Sequence, residues 1–422
     1  MKVARLIMIT LENNNKFYNM SENPDGTFTV KYGRVNKTEQ TESYPISAWE
    51  KKHKEKLKKG YKDVTHLFVE SVTSDGSTTS TALIDISDSK VKNLFDTLQA
   101  YANKSIKQNY TVSAENVTQL QVDEAQAALD KIAIELKVGV SCEVINKHLL
   151  ELFMIVPREM KSVKDHLIQS NIATKKDLEI AQEVIAKEQG ILDVMAGQVA
   201  QIKATKNAGN PKEIKKSLNV LEAMGLEITP ITDSKIIDLI KDKLNDLKRN
   251  GQQDNSKLFK QAFQVTNKKT QVLFDKHLAS ASDKKTELFW HGSRNANYLS
   301  IAEKGLLIRP AGAGYNGSMF SDGIYFGNQS GKSLNYTDYR GAYRSYTSGN
   351  SNRVFLLLFD VHVGNPLHIY KHDSSCYTID KRVKKEGYDC VWAHAGASLA
   401  YDEVIIYNSN QCTIKYIIEL EG

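Results

Sequence analysis

Residues 353–363 have the sequence RVFLLLFDVHV, a run of aromatic and branched apolar side chains that predicts a buried β-strand. The most apolar part, residues 354–359, is far too short to cross a bilayer. Similar runs follow along the chain at residues 388–393, 404–407 and 413–420. One helix is expected before them, near residues 235–248. The pattern therefore predicts a sheet-rich C-terminal region and no membrane span.

Four short segments in this region carry side chains suited to chemistry. In chain order they are Trp290-His291-Gly292-Ser293-Arg294, Gly323-Ile324-Tyr325-Phe326-Gly327, Lys332-Ser333-Leu334-Asn335-Tyr336 and Tyr401-Asp402-Glu403-Val404. Each alone has an ordinary explanation, such as a core histidine, a packed tyrosine or a solvated glutamate. Together, in this order and at these intervals, they resemble the catalytic domain of the poly(ADP-ribose) polymerases, whose signature is an ordered His, Tyr and Glu. The resemblance covers residues 210–422.

The resemblance implies that NAD+ is a substrate, broken between nicotinamide and ribose while positive charge builds on the ribose ring. Such a reaction needs a clamp on the nicotinamide, a partner for the ribose and an anion near the cation. The catalytic residues implied are Glu403, His291 and Tyr325. The NAD-binding residues implied are His291, Gly292, Ser293, Asn297, Tyr325, Lys332, Ser333 and Tyr336. Met319 and Tyr401 are expected on the acceptor side, and no metal is expected.

Glu403 has the central role in this prediction. By family resemblance its carboxylate holds a ribose hydroxyl, stabilises the cation and polarises the attacking hydroxyl, while Lys332 helps to orient it. An unperturbed glutamate has a pKa of about 4.3 and is ionised at neutral pH. A glutamate at this position also marks family members that extend chains, although some members with this triad add a single unit.

A glycine-rich segment offers a competing interpretation. Gly312, Gly314 and Gly317 match the dinucleotide fingerprint GxGxxG, and Asp338 lies at a suitable distance beyond them. That fingerprint requires a strand before it and a helix after it, so that the pyrophosphate meets the helix N-terminus. Residues 318–325 predict turns and a strand instead. We therefore interpret the segment as a flexible loop.

Residues 87–204 show apolar side chains at the three-to-four spacing of amphipathic helices, for example over residues 91–98. Several such helices joined by short polar loops predict a bundle. The region resembles the regulatory helical domain of the same family, most recognisably at residues 143–160. Small and polar residues predict linkers on either side, at 71–81 and 203–212.

The first 63 residues hold 13 basic and 8 acidic side chains, most of the formal net charge of +6. Short apolar runs around a Pro-Asp-Gly turn predict β structure, followed by a Lys-rich helix over residues 46–59. The segment Tyr32-Gly33-Arg34-Val35 resembles the motif of a WGR domain, with tyrosine replacing the naming tryptophan. The DNA-binding residues implied are Gly33, Arg34, Lys51, Lys52 and Lys59. The alternative is a solvated Lys-rich face.

The chain has 422 residues, of which 41% are hydrophobic and 25% charged, and this composition excludes wholesale disorder. Four scattered cysteines argue against a zinc site or a disulfide scaffold and favour a reducing compartment. We predict a multidomain α+β protein in three parts. These are a small antiparallel β module with a helix at residues 1–75, an α-helical bundle at 87–204, and a mixed or antiparallel β-rich ADP-ribosyltransferase domain at 210–422.

Together these features predict an NAD-dependent protein ADP-ribosyltransferase that forms poly(ADP-ribose), is stimulated by DNA breaks and acts in the DNA damage response. Expected partners are DNA strand breaks and protein acceptors, including the chain itself, with the protein a monomer. The family resemblance implies the nucleus, otherwise the cytoplasm. The N-terminus lacks a signal-peptide pattern, which disfavours a secreted toxin-like transferase. The alternatives are a catalytically weak scaffold that binds DNA ends or ADP-ribose, and a mono-ADP-ribosyltransferase.

Overall fold

The computed structural model describes residues 1–35, 37–68, 85–110, 114–158, 160–169, 171–208, 219–249, 253–308, 319–339 and 351–422. The described residues form two compact units. The first unit holds those within residues 1–78 and 104–202, and the second holds those within 79–103, 203–310 and 317–422. Each unit contains one β-sheet, so the predicted α+β class is confirmed.

A five-stranded antiparallel sheet forms the N-terminal part of the first unit. Its strands are β1 (Val3–Ile9), β2 (Asn15–Glu22), β3 (Thr27–Arg34), β4 (Gln40–Pro45) and β5 (Lys62–Asp63), in the spatial order β4-β3-β2-β1-β5. Alternate side chains point to one face. There Met20, Phe28 and Val30 are fully buried in a cluster with Trp49 of helix α1 (Trp49–Lys58). The predicted strands and the Lys-rich helix of this segment are confirmed.

The predicted helical region forms four long helices. They are α2 (Ser89–Asn109), α3 (Gln119–Lys137), α4 (Cys142–Ile155) and α5 (Lys175–Ala208). Helix α3 begins with a capping box, in which Thr118 and Gln121 each accept a hydrogen bond from the other's backbone N–H. Beyond α4, Arg158 forms an ion pair with Glu188 in the interior of the first unit. Removing either partner would leave a buried charge uncompensated.

The helical region is not one packing unit, although the sequence predicts a single bundle. The N-terminal part of α2 places four apolar side chains in the core of the second unit, namely Val91, Leu94, Phe95 and Leu98. On the same part of the helix, Asn93 and Thr97 accept hydrogen bonds from Arg353, at 3.0 and 3.1 Å. The apolar stripe of α2 therefore finds its partner in the C-terminal sheet.

The predicted breaks between domains have different outcomes. Residues 71–81 lie outside the described residues. Helix α5 continues through residue 208, so the break predicted to begin at residue 203 is wrong over its first six residues. The alanines and lysines of this segment favour helix, and sequence polarity alone does not distinguish the end of a helix from a linker. The boundaries of the three predicted domains stay a prediction.

A nine-stranded mixed sheet dominates the second unit. Its strands are β6 (Leu226–Pro230), β7 (Phe259–Asn267), β8 (Thr286–His291), β9 (Ile324–Gly327), β10 (Arg353–His362), β11 (Pro366–Ile369), β12 (Cys390–Ala393), β13 (Glu403–Ile406) and β14 (Cys412–Glu421). The spatial order is β11-β12-β13-β9-β8-β10-β14-β7-β6, and among these described strands β11 and β12 pair in parallel while the other neighbours are antiparallel. Its helices are α6 (Val220–Ala223), α7 (Ser234–Leu244), α8 (Lys268–Ser280), α9 (Tyr298–Lys304), α10 (Ser330–Leu334) and α11 (Ile379–Glu386).

Strand β10 lies in the middle of this sheet, as its sequence predicts. Side chains 354–359 are all buried, and they alternate between two hydrophobic clusters. Phe355, Leu357 and Phe359 face one cluster, and the intervening residues face the other. A strand covered on both faces has no need of polar alternation, which explains its continuous apolar run.

The strands around the glycine-rich segment do not form a dinucleotide-binding unit. Gly312, Gly314 and Gly317 lie outside the described residues. Strand β9, which follows them, pairs antiparallel with both of its neighbours, whereas a Rossmann unit is built from parallel strands. Among the helices of the described ranges, none combines the length and apolar character that a membrane crossing requires.

Candidate active site

Three neighbouring strands of the nine-stranded sheet bring the predicted triad together. Gly327 on β9 pairs with Trp290 on β8 and with Glu403 on β13. His291 directly follows Trp290, and Tyr325 lies two residues before Gly327. Adjacent strands lie about 5 Å apart. The register therefore places His291, Tyr325 and Glu403 at one end of the sheet, although they are far apart in sequence.

His291 is held in one orientation by its own sheet. Its Nδ1 lies 3.2 Å from the carbonyl oxygen of Tyr325, and its ring meets the rings of Phe326 and Phe359 edge-on. A carbonyl oxygen only accepts, so Nδ1 carries the proton and Nε2 remains an acceptor. Desolvation by the surrounding protein lowers the pKa of His291 to about 4. The ring is therefore neutral at physiological pH.

Gly292 lies where two backbone segments meet. A Cβ at this position would lie 1.8 Å from the carbonyl oxygen of Ser333 on α10. No side chain fits there, so glycine is required for the chain to pass α10 so closely. The same carbonyl accepts a hydrogen bond from the backbone N–H of Tyr336 at 3.1 Å. Gly292, Ser333 and Tyr336, which are among the predicted NAD-binding residues, thus share one small region.

Tyr325 is fixed at its hydroxyl group. The hydroxyl donates to the carbonyl of Ser321 at 2.8 Å and accepts from the backbone N–H of Phe320 at 2.9 Å. Desolvation by burial, followed by weaker repulsion from Glu403, raises the pKa of Tyr325. The phenol therefore remains protonated, and its ring provides a rigid flat surface that suits stacking more than proton transfer.

Glu403 forms an ion pair with Lys332 of α10. The two side chains are only 13% and 11% exposed, so water screens their attraction weakly. The pair connects the end of β13 to the short helix that also carries Ser333. This geometry agrees with the predicted role of Lys332 in orienting the glutamate.

A buried carboxylate that the sequence motifs did not reveal positions α10. The Oδ1 and Oδ2 atoms of Asp246 accept the backbone N–H groups of Ser330 and Gly331, at 2.8 and 2.7 Å. Asn255 donates to Ser330 Oγ at 2.9 Å and to Asp246 at 3.3 Å. Asp246 thereby satisfies the first N–H groups of the helix that carries Lys332. It lies 84 residues before Ser330, and no local pattern indicates the contact.

Ser293 and Asn297, two of the predicted NAD-binding residues, bind each other. Asn297 Nδ2 donates to Ser293 Oγ at 3.0 Å, and the backbone N–H of Ser293 donates to the hydroxyl of Tyr298 at 3.0 Å. The Oδ1 atom of Asn297 is enclosed and accepts no hydrogen bond from any described residue. Such an acceptor fits a ribose hydroxyl, because an enclosed polar atom is costly to leave unpaired.

Asp338 has a different role from the one a dinucleotide fingerprint would give it. Its Oδ2 accepts the backbone N–H of Asn295 at 2.8 Å. The contact ties the segment after His291 to the chain beyond α10. Asp338 therefore helps to position the segment that follows His291. The GxGxxG motif plays no part in this role.

The two predicted acceptor-side residues lie in the segments that precede Tyr325 and Glu403. The carbonyl of Met319 lies 2.8 Å from Nε2 of His372, which donates to it, and Met319 and Tyr325 pack against the same buried cluster. Tyr401 is partly exposed two residues before Glu403. Within the described ranges, no group of three or more His, Cys, Asp and Glu side chains is arranged to hold a metal. That the site works without a metal stays a prediction.

The predicted DNA-binding residues have unequal surroundings. The guanidinium of Arg34 donates to the backbone and side-chain oxygens of Asn13 at 2.7 and 3.0 Å, and to the carbonyls of Met160 and Lys161 at 3.2 and 3.3 Å. All four acceptors belong to the first unit. The guanidinium predicted to bind phosphate is thus already bound to protein.

The lysines of α1 and its exit are more accessible. Lys51 and Lys59 are exposed, whereas the Lys52 ammonium lies 4.1 Å from the ring centroid of Tyr44. Gly33 is partly exposed, and a Cβ there would lie 3.2 Å from the carbonyl oxygen of Thr38. As predicted DNA contacts, these four residues remain untested.

Comparison with known proteins places the C-terminal region among catalytic domains. Residues 237–422 match the family described as poly(ADP-ribose) polymerase catalytic domain. The chain is 35% identical to the putative poly [ADP-ribose] polymerase-like protein 100L of Invertebrate iridescent virus 6, over 35% of this chain and 77% of that protein. It is 33% identical to the uncharacterized protein 101L of the same virus, over 51% of this chain and 84% of that protein.

A cellular relative is similar over a smaller part. The poly [ADP-ribose] polymerase of Drosophila melanogaster is 30% identical over 160 residues, which are 32% of this chain and 15% of that protein. The similarity to this much longer protein therefore does not extend to its whole length.

Proposed function

This chain belongs to the poly(ADP-ribose) polymerase family and is an NAD+ ADP-ribosyltransferase, and from that premise we propose that it builds poly(ADP-ribose) chains in response to DNA breaks. The proposed setting is the DNA damage response in the nucleus. The proposed partners are broken DNA and protein acceptors, including the chain itself, acting on a monomeric enzyme. The observation that carries the proposal is the Lys332–Glu403 ion pair beside His291 and Tyr325.

The proposed reaction breaks the bond between nicotinamide nitrogen and C1′ of the ribose. The bonding pair leaves with nicotinamide, which becomes neutral, and positive charge builds on the ribose ring. An acceptor oxygen then bonds to C1′, and its proton passes to the surrounding solvent. In chain extension that oxygen is a hydroxyl of an ADP-ribose unit already attached.

The residues of the candidate site fit NAD+. Nε2 of neutral His291 accepts a ribose hydroxyl, and Oδ1 of Asn297 supplies a second acceptor that is otherwise unpaired among the described residues. The ring of Tyr325 provides a stacking surface for nicotinamide, and the backbone at Gly292 receives its amide. Each of these groups is already held by the protein before substrate binds, which reduces the entropy lost on binding.

Glu403 supports chain extension as well as the first transfer. An anion beside the developing cation lowers the energy of the transition state, most effectively where water is excluded. Its pairing with Lys332 fixes the orientation of the carboxylate. The same carboxylate can accept a hydrogen bond from the incoming ribose hydroxyl, which increases the nucleophilicity of that oxygen.

The proposed response to DNA breaks rests on the first unit. The exposed lysines of α1 and its exit suit contacts with phosphates. In the same unit, Asn15 and Arg34 hydrogen-bond the carbonyls of residues 158, 160 and 161, and Arg158 pairs with Glu188 of α5. A shift of the β module on DNA would act on α5 through these contacts. Binding of DNA by the β module would thereby be coupled to the position of α5.

The test is to incubate the full chain with labelled NAD+, with and without nicked DNA, and to separate the products by size. We expect a ladder of increasing lengths, formed faster with DNA, and none with Glu403→Gln. Products of a single unit would assign mono-ADP-ribosylation instead. A ladder with the same rate in both conditions would remove the DNA-sensing part of the proposal and leave the chain-forming part.

A further inference from the structure

The turn at residues 319–321 precedes β9 and fixes the hydroxyl of Tyr325 from two sides. The carbonyl of Ser321 accepts a hydrogen bond from that hydroxyl at 2.8 Å, and the backbone N–H of Phe320 donates to it at 2.9 Å. The carbonyl of Phe320 also accepts a hydrogen bond, from the hydroxyl of Tyr407 at 2.7 Å. The orientation of the Tyr325 ring therefore depends on the conformation of this turn.

Ser321 has a backbone conformation that L-amino acids rarely adopt. Its φ is 64°, in the left-handed region, where the Cβ of any residue other than glycine is crowded by the backbone. Asn13 is the other non-glycine residue with a positive φ among the described ranges, and asparagine is found in this region far more often than most residues. A strained serine beside a substrate-binding tyrosine is an outlier from which a functional role can be inferred.

The side chain of Ser321 makes a contact that glycine could not make. Its hydroxyl donates to Oδ1 of Asp380, which lies in the first turn of α11. Helix α11 holds this carboxylate in a fixed place, because Ile379 and Val383 are buried in one hydrophobic cluster with Phe320. The hydrogen bond to Asp380 therefore offsets the strain and keeps Ser321 in the left-handed conformation.

We propose that Asp380 is a positioning residue for the nicotinamide end of NAD+, acting through Ser321 and the hydroxyl of Tyr325. The inference rests on the proposed stacking of nicotinamide on the ring of Tyr325. The backbone of Tyr325 is fixed by its pairing with Ile405 on β13, so the hydrogen bonds of the hydroxyl restrict what remains free, which is rotation of the side chain. If Ser321 left the left-handed region, its carbonyl would turn away and this restriction would be lost.

A role in positioning and a role in stability predict different kinetics. A stacking surface contacts nicotinamide both before and during cleavage of the bond to ribose. Its displacement therefore weakens the two states alike, which raises KM and leaves kcat unchanged. A variant that is only partly folded would instead have a lower apparent kcat and an unchanged KM, because its folded molecules would bind NAD+ normally.

The experiment measures how nicotinamide inhibits the transfer of labelled ADP-ribose from NAD+, and separately how free ADP-ribose, which lacks the nicotinamide ring, inhibits it. For Asp380→Ala we expect inhibition by nicotinamide to weaken about tenfold and KM for NAD+ to rise about tenfold, while kcat and inhibition by ADP-ribose stay within about twofold. Asp380→Asn keeps an acceptor oxygen and should stay within about twofold in every measurement. Glu386→Ala is the matched control, since it removes a carboxylate from the other end of α11.

Two further variants test the route through Ser321 and Tyr325. Ser321→Gly loses the hydroxyl but relaxes the backbone, so thermal unfolding should change little. Inhibition by nicotinamide should nevertheless weaken, because glycine is not held in the left-handed region. Tyr325→Phe removes the hydroxyl through which Asp380 acts, so adding Asp380→Ala to it should produce a further change of less than about twofold.

Unchanged inhibition by nicotinamide in Asp380→Ala overturns the proposal. So does an equal weakening of nicotinamide and ADP-ribose, or the same loss caused by Asp380→Ala in the Tyr325→Phe background. Tyr325→Leu distinguishes these failures from a failure of the proposed NAD+ site. If Tyr325→Leu weakens inhibition by nicotinamide and Asp380→Ala does not, the site stands and the positioning role is wrong. If Tyr325→Leu has no effect, the proposed stacking on Tyr325 fails and this inference fails with it.

Discussion

The active end of the nine-stranded sheet and the Arg34 corner of the five-stranded sheet both carry motif residues, but the surroundings of those residues differ. At the active end, Nε2 of His291 is left as an acceptor and Oδ1 of Asn297 is unpaired among the described residues. At the Arg34 corner, four protein oxygens already bind the guanidinium. A motif residue whose hydrogen-bond donors are already bound to its own chain is suited to connecting two segments of the protein. A motif residue with an unpaired acceptor is suited to binding a ligand.

The same difference separates arginine from lysine within the N-terminal module. A planar guanidinium with five donors can bind several carbonyls at once, whereas an ammonium on an exposed stem stays hydrated and free to move. Arg34 shows the first behaviour. Lys51 and Lys59 show the exposure that the second requires. Arg34 is thereby separated, on physical grounds, from the lysines grouped with it as DNA contacts.

The largest effect is expected from Glu403→Gln, which keeps the shape of the side chain and removes its charge. Losing a preorganised charge at the transition state should lower the transfer rate by a factor on the order of 10² to 10³. Nicotinamide release from NAD+ measures it. Glu386→Gln is the control, since Glu386 lies on the surface of α11 and pairs with Arg382 of the same helix. A rate within twofold of the unmodified enzyme for Glu403→Gln would contradict the assignment of the active end.

Gly292→Ala should have the next largest effect, because its Cβ would collide with a backbone oxygen that cannot rotate away. We expect a loss of stability of about 3 kcal/mol, at the upper end for overpacking, together with a raised KM for NAD+. Thermal unfolding and initial rates measure the two effects. Gly190→Ala, in helix α5 with open space around it, should be neutral or slightly stabilising. Equal behaviour of the two variants would show that the approach of Gly292 to α10 is not required.

His291 makes a prediction about pH. Its pKa is lowered from 6.5 to about 4, so the unfolded chain binds more protons than the folded protein between these values. Stability should therefore fall as the pH falls through this window. The shift corresponds to about 3 kcal/mol, and the partial exposure of the ring reduces this to about 2 kcal/mol. Urea unfolding measures the decrease in the free energy of unfolding from pH 7 to pH 4.5. This decrease should be smaller for His291→Gln than for the unmodified chain, and identical decreases would refute the neutral imidazole.

The sequence was sufficient for the residues that lie in recognisable local segments. The strand at 353–363 could be predicted because a strand covered on both faces is apolar throughout. His291, Tyr325 and Glu403 could be predicted because each lies in a short segment with its own pattern, and the order of the segments is informative. Their meeting across β8, β9 and β13 is a matter of register, which the structure supplies.

Contacts between distant segments could not be predicted in the same way. Asp246 reaches α10 across 84 residues, and Arg34 reaches Met160 across 126. Neither contact leaves a periodicity or a spacing in the sequence, because the partners are backbone groups that every residue possesses. For the same reason the apolar stripe of α2 indicated a buried face but not which core would receive it.

Arg34→Gln tests whether Arg34 transmits the effect of DNA binding within the first unit or contacts the DNA itself. Removing a charged donor from four oxygens should lower the stability of the first unit by about 1 to 2 kcal/mol, and stimulation by nicked DNA should decrease while DNA affinity changes little. Chemical unfolding and a DNA titration of the same preparation measure both. Lys31→Gln is the control, since Lys31 is an exposed basic residue on the same strand and pairs with Glu39 at the surface. An unchanged stimulation would refute the transmitting role.

The smallest effects are expected for Lys51→Gln and Lys59→Gln. If each lysine contacts one phosphate, each variant should weaken DNA binding a few-fold and reduce the slope of log affinity against log salt by about 1. Unfolding should not change, because both side chains are exposed. Lys384→Gln, on the exposed surface of α11 in the second unit, controls for the loss of one positive charge. The opposite result would be a slope of log affinity against log salt that changes in Arg34→Gln but in neither lysine variant. The phosphate contact would then be made by the arginine and not by the lysines.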